Sequence, residues 1–170
     1  MNISKQIVGY LKSRGLVLAS IETCTAGAMT AALIDLPGAA ACLDISVVAP
    51  VPRALAGWPG ASSVIQADVG VSEPIARALV EGLIAQRSGH ANVALASIGW
   101  LTSAEESSVP VAHCFAWAYE NRGAVVSASE TVLFSGRRAE VRRSVARRAL
   151  LGVPRFVDSI LARERADSSK

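Results

Sequence analysis

Residues 112–119 and 124–134 are two strand-forming runs that flank Asn121-Arg122-Gly123, and this stretch constrains the fold most. Two such runs joined by a short glycine-containing turn read as a β-hairpin. Upstream the pattern is different. Residues 3–14 place Ile3, Ile7, Tyr10 and Leu11 at helical spacing, with Gly15 ending the helix. Residues 16–21 then read as a buried strand, followed by a turn of small residues and a helix over 27–34 that Pro37-Gly38 stops. Residues 45–49 give a second strand, bounded by Pro50 and Pro52. Ser72, Glu73 and Pro74 suit the start of a helix whose stripe is Ala76, Leu79, Val80, Leu83 and Ile84. Residues 93–98 form a third strand. After the hairpin come a helix over about 137–151 and a last helical segment over about 154–162. Strands that alternate with helices early and pair as a hairpin late imply a mixed sheet covered on both faces.

The 170 residues suit one domain, taken as residues 1–165 with a polar tail over 166–170. About half the residues are apolar (51%), enough for a sizeable core, and aromatics are scarce, which favours close helix-on-sheet packing. Cys24, Cys42 and Cys114 lack metal-ligand spacing, and His90 and His113 add no cluster, so neither a disulfide framework nor a metal site is expected. The N-terminus lacks a signal-peptide core, and Glu22, Asp35 and Asp44 interrupt the most apolar region. A cytoplasmic protein without membrane contact is the expectation. Trp58, Trp100 and Trp117 are not interleaved with arginines as a stacking platform would require, so nucleic acid is not expected as a partner.

The local feature with most chemical content is Glu22-Thr23-Cys24-Thr25-Ala26-Gly27, where a buried strand runs through small residues into a helix. Ligands of open α/β sheets commonly bind at such strand ends, which makes Thr25, Ala26 and Gly27 candidate ligand-binding residues. Alone this turn is unspecific. Three further segments add to it: Asp35-Leu36-Pro37-Gly38-Ala39-Ala40-Ala41, Gly70-Val71-Ser72-Glu73-Pro74, and Phe134-Ser135-Gly136-Arg137-Arg138-Ala139-Glu140-Val141-Arg142-Arg143.

In this order and near this spacing, over roughly residues 5–162, the segments resemble the CinA C-terminal, nicotinamide-nucleotide amidohydrolase family. Its motifs are Glu-Ser-Cys-Thr-Gly-Gly, Asp-x-Pro-Gly-Ser-Ser, Gly-Ala-Val-Ser-Glu and Phe-x-Gly-Asp-Arg-x-x-Val-Arg. The resemblance implies an α/β fold, a three-layer α/β/α sandwich with a mixed sheet. It also implies an activity, hydrolysis of the amide of nicotinamide mononucleotide with release of ammonia and no cofactor. The family's nucleophile is the serine of the first motif, assisted by the tyrosine and lysine of a Tyr-Ser-Asn-x-x-Lys segment.

The chemistry has requirements of its own. A hydroxyl attacks an amide only if a base takes its proton and donors hold the oxyanion. Here the serine position is Thr23, which keeps a hydroxyl but restricts χ1. A gapless alignment from Asp35 places Pro50 at the tyrosine and Leu55 at the lysine, and neither moves a proton. Arg53 is nearby in sequence, but guanidinium is a poor base. The family's glycine-rich Thr/Ser-Gly-Ile-Ala-Gly-Pro loop becomes Ile98-Gly99-Trp100-Leu101-Thr102-Ser103, whose bulk would crowd a backbone cradle.

Cys24, beside a helix N-terminus, is read as a small buried residue because the family has cysteine there too, and His113 as a satisfied strand residue. Arg138 and Arg142 share the helical face of Val141, Val145 and Ala149, so they are candidates to hold phosphate, to pair with acids within the chain or to sit at a subunit contact, with ligand or interface favoured slightly over internal pairing. Arg143 and Arg147 are expected to face solvent. The reading is a CinA-family protein with degenerate catalytic positions, a homo-oligomer retained for binding a nucleotide or other phosphate-bearing small molecule, or for assembly. The alternative is an active amidohydrolase that uses Thr23 as nucleophile with a rebuilt base.

Overall fold

A computed structural model describes residues 2–55, 58, 71–101 and 110–170. Gly70, Thr102 and Ser103, each part of a segment singled out in the sequence, lie outside the described residues. The elements run α1 (Ile3–Ser13), β1 (Leu18–Glu22), α2 (Ala28–Ile34), β2 (Leu43–Val48), α3 (Glu73–Gln86), β3 (Val93–Ile98), β4 (Val111–Asn121), β5 (Ala124–Phe134) and α4 (Arg138–Ser168).

The strands form one mixed sheet in the order β2-β1-β3-β4-β5. β1 is parallel to β2 and β3, whereas β4 and β5 are antiparallel. Side chains of adjacent residues point to opposite faces of a strand, and both faces of this sheet are covered. Val93, Leu95, Phe115 and Trp117 pack with α1, α2 and α4. Ala94, Ala96, Cys114, Ala116 and Ala118 pack with α3, where alanines let the helix approach closely. β1 is buried along its whole length, as a central parallel strand must be.

The hairpin forms where the sequence placed it. Asn121 pairs with Ala124, and Arg122 and Gly123 both have positive φ (53° and 80°), the conformation of a tight hairpin turn. Ser72 caps α3 by accepting from the Ile75 N–H at 3.4 Å.

Several boundaries differ from the sequence reading: β1 covers Leu18–Glu22 rather than residues 16–21, and β4 covers Val111–Asn121 rather than residues 112–119. β2 covers Leu43–Val48 rather than residues 45–49. The two C-terminal helical segments are one helix, with Pro154 inside it and the expected tail helical as far as Ser168. Pro154 removes a helical N–H donor, yet Val145, Ala149, Val153, Phe156, Val157 and Ile160 form one buried stripe across it. Trp117 reinforces that region by donating its indole N–H to the Ala149 carbonyl at 3.0 Å. Gly152 makes room for the ring: a Cβ there would fall 2.1 Å from Trp117 Cζ2.

Candidate functional site

β1 ends at Glu22, beside Val48 of β2 and Ser97 of β3, so the following turn emerges at the C-terminal edge of the parallel strands. Ala26 (φ 53°) and Gly27 (φ 94°) adopt left-handed conformations and swing the chain into α2, with Gly27 as N-cap. A helix start leaves N–H groups without partners, and Gly27 has no side chain to serve them. Glu22 does so instead. One carboxylate oxygen accepts from the Met29 N–H (3.0 Å) and the Thr25 hydroxyl (2.6 Å). The other accepts from the Thr30 N–H and hydroxyl (3.2 Å each) and from the Ser46 hydroxyl (3.3 Å). Glu22 is fully buried, so its charge is held by five donors and by the positive end of α2.

Thr23 is also fully buried. Its hydroxyl lies 2.8 Å from both the Ser97 and Gly99 carbonyls and accepts the Gly99 N–H at 3.0 Å. Its one proton therefore goes to the main chain, and among the described residues its partners are all backbone groups at the end of β3. Among the described residues no lysine or tyrosine bonds to the Thr23 hydroxyl. Tyr10 donates to Asp158 at 2.7 Å, and Tyr119 stands opposite Val93, at the far end of β3 from Ser97. The Lys12 side chain covers Gly38, Lys5 is exposed on α1, and Lys170 is the last residue.

Beside Thr23 lies a pair the sequence reading did not assign. Ser97 Oγ and His113 Nε2 are 2.8 Å apart, and both residues are buried. Burial lowers the His113 pKa from 6.5 to about 4, so the ring is neutral near pH 7. Its ring contacts are Phe115 and Phe134. Gly99 is packed against it so closely that a Cβ would sit 2.2 Å from His113 Nδ1. His113 and Gly99 thus fix the chain segment that holds the Thr23 hydroxyl. The sequence signal was a lone histidine in an apolar strand, which does not reveal its partner.

The positions aligned with the family's tyrosine and lysine carry no proton-transfer group. Pro50 is exposed, and Leu55 is fully buried in the core under α3. Trp100 packs against that same core and donates its indole N–H to the Ala49 carbonyl at 3.1 Å. Leu101 packs against the opposite core.

Among the expected ligand-binding residues, Thr25 is buried against Glu22, Ala26 is exposed and Gly27 is half-buried. Arg142 Nε donates to the Cys24 carbonyl at 3.1 Å, which ties α4 to the turn. Arg138 and Arg142 both act electrostatically on Cys24 and favour its thiolate, but burial outweighs them and raises its pKa from 9.0 to about 11. That thiol stays protonated at neutral pH. Arg143 and Arg147 are exposed, as the helical phase predicts, but so are Arg138 and Arg142, which that phase placed on the inward stripe: their long side chains leave the buried row of Val141, Val145 and Ala149 for the surface. Arg142, Arg143 and Arg147 line one surface groove.

Among the described residues no His, Cys, Asp and Glu cluster is arranged to hold a metal ion. No described helix is long and apolar enough to cross a membrane.

Comparison with known proteins matches residues 1–157 to the CinA C-terminal domain. A CinA-like protein of Akkermansia muciniphila is 28% identical over 153 residues, which cover 89% of this chain and 36% of that protein. A competence-damage inducible relative from Symbiobacterium thermophilum is 34% identical over 165 residues, 89% of this chain and 37% of its own length. The chain therefore spans little more than a third of these relatives. The crystal structure of competence damage-inducible protein A from Klebsiella pneumoniae superposes with a TM-score of 0.76 at 25% identity, covering 92% of this chain and 95% of that one. With residues 1–157 matched and the mixed sheet shared, the chain belongs to the CinA C-terminal domain family.

Proposed function

We propose that this chain is a CinA-family domain that has lost amide hydrolysis and is retained for binding or assembly. The observation that carries the reading is the state of the Thr23 hydroxyl. It is fully buried and bonded to main-chain groups of Ser97 and Gly99. Acyl transfer needs a base within hydrogen-bond reach of the nucleophile. The nearby imidazole, His113, is bonded to Ser97 and has a pKa too low for a base poised near neutrality. Loss of a general base commonly costs about 10²–10⁴ in rate, and here the hydroxyl is sequestered as well.

The retained ligand in this reading is a nucleotide or another phosphate-bearing small molecule, held by Arg138 and Arg142 beside the turn. A homo-oligomeric state and a cytoplasmic location belong to the same proposal, and the three free buried cysteines agree with a reducing compartment.

Calorimetric titration with nicotinamide mononucleotide tests the binding part. Arg142→Ala and Arg138→Ala should weaken binding far more than Arg122→Ala, at the distant hairpin turn. Equal and small effects from all three would remove phosphate recognition. If the wild-type protein binds no nucleotide, the Arg138 and Arg142 double variant should dissociate the assembly in sedimentation, and an unchanged oligomer would reject that branch too.

A further inference from the structure

Helices α1, α2 and α4 leave a groove of about 280 Å³ on their outer side. It exists because the facing residues are short: Ala28 and Ala32 of α2 oppose Ala146 of α4, with Ile3 and Leu150 completing an apolar floor. Arg142, Arg143 and Arg147 line the same groove. None of the three has an acidic partner among the described residues, whereas Arg148 and Arg155 of the same helix share Glu130. Among the described residues, the Arg142 guanidinium bonds only to the neutral Cys24 carbonyl. Three cations along one side of an apolar floor repel one another, and an anion placed among them relieves that repulsion. A second copy of this face would bring more positive charge, so charge complementarity selects an anionic occupant.

We infer that this groove binds a small amphipathic anion: one carboxylate, phosphate or sulfonate head on the arginines, and one compact apolar body on the alanine floor. The volume falls just below the range of ligand pockets, roughly 300–1,000 Å³, and so suits a small occupant such as a fused ring or a medium acyl chain. The inference deepens the ligand-binding reading but uses a different surface from the Thr23 turn, with Arg142 common to both. Nucleotide binding can therefore fail while the groove still binds.

The probe is anilinonaphthalene sulfonate, titrated by fluorescence against the full chain, with sodium decanoate as competitor. Near-ultraviolet circular dichroism confirms native packing in each sample, because this probe also stains loosened states. The expected result is one saturable site, displaced by decanoate and weakened by salt. Arg143→Gln combined with Arg147→Gln should weaken it about tenfold or more, because charged contacts to the head group are lost. Ala32→Trp, at an exposed position that fills the groove, should abolish saturable binding, while Arg148→Gln should leave it intact. The inference is overturned by a lack of saturable binding, by equal affinity in all variants, or by displacement with inorganic phosphate as effective as that with decanoate.

Discussion

Acid should destabilise this fold through one residue, His113, before its carboxylates begin to protonate. The imidazole is buried and its pKa is lowered from 6.5 to about 4, with burial as the cause. Between these values the unfolded chain binds a proton that the folded chain refuses. Stability is therefore fully present above about pH 6.5 and falls as the pH drops towards 4. At 1.36 kcal/mol per pKa unit, the full effect is about 3 kcal/mol, of which about 2 kcal/mol is lost between pH 7 and pH 5. The perturbation is His113→Gln, which removes the titrating group while keeping an amide that can reach Ser97. Urea unfolding of both proteins at the two pH values gives the difference directly. The wild type should lose about 2 kcal/mol more than the variant on acidification. Equal losses would mean that the ring titrates normally, and the buried Ser97–His113 contact would have to be abandoned.

Two other substitutions probe the framework of the site. Glu22→Ala should destabilise by about 3 kcal/mol or more in urea unfolding, because five buried donors lose a charged acceptor, while Glu22→Gln should cost less. A cost near zero for Glu22→Ala would show that water replaces the carboxylate. Gly152→Ala decides between propensity and packing: an exposed helical glycine replaced by alanine gains about 1 kcal/mol, but here the Cβ meets Trp117, so a loss of about 2–3 kcal/mol is expected.

The sequence revealed elements whose cause is local. The Arg122-Gly123 turn, the Ser72 cap and the strand leading to Glu22 are legible because turn chemistry, capping and apolar runs act over a few residues. Pro154 misled for the same reason. Its local effect is to break a helix, but a buried stripe on both sides keeps α4 continuous. At the site, Thr23 could be picked out by its place after β1, whereas its partners come from residues more than seventy positions away. Glu22 is similar: its identity was visible, but its task of capping α2 depends on a helix that folds back over it. The groove shows the converse. Helical phase placed Arg143 and Arg147 in solvent, and only the packing of α1 and α2 against α4 gives that solvent-facing side a concave apolar floor.

The central claim is that the family's chemistry is absent because the Thr23 hydroxyl is locked to the main chain and has no base. Ammonia release from nicotinamide mononucleotide by the wild type and by Thr23→Ser tests it most directly, since the variant restores a serine without supplying a base. Both proteins should stay at the buffer baseline. Turnover above baseline that survives repurification and disappears in Thr23→Ala would contradict the account in the wild type, and in Thr23→Ser would show that the hydroxyl's methyl group, not a missing base, had silenced the site.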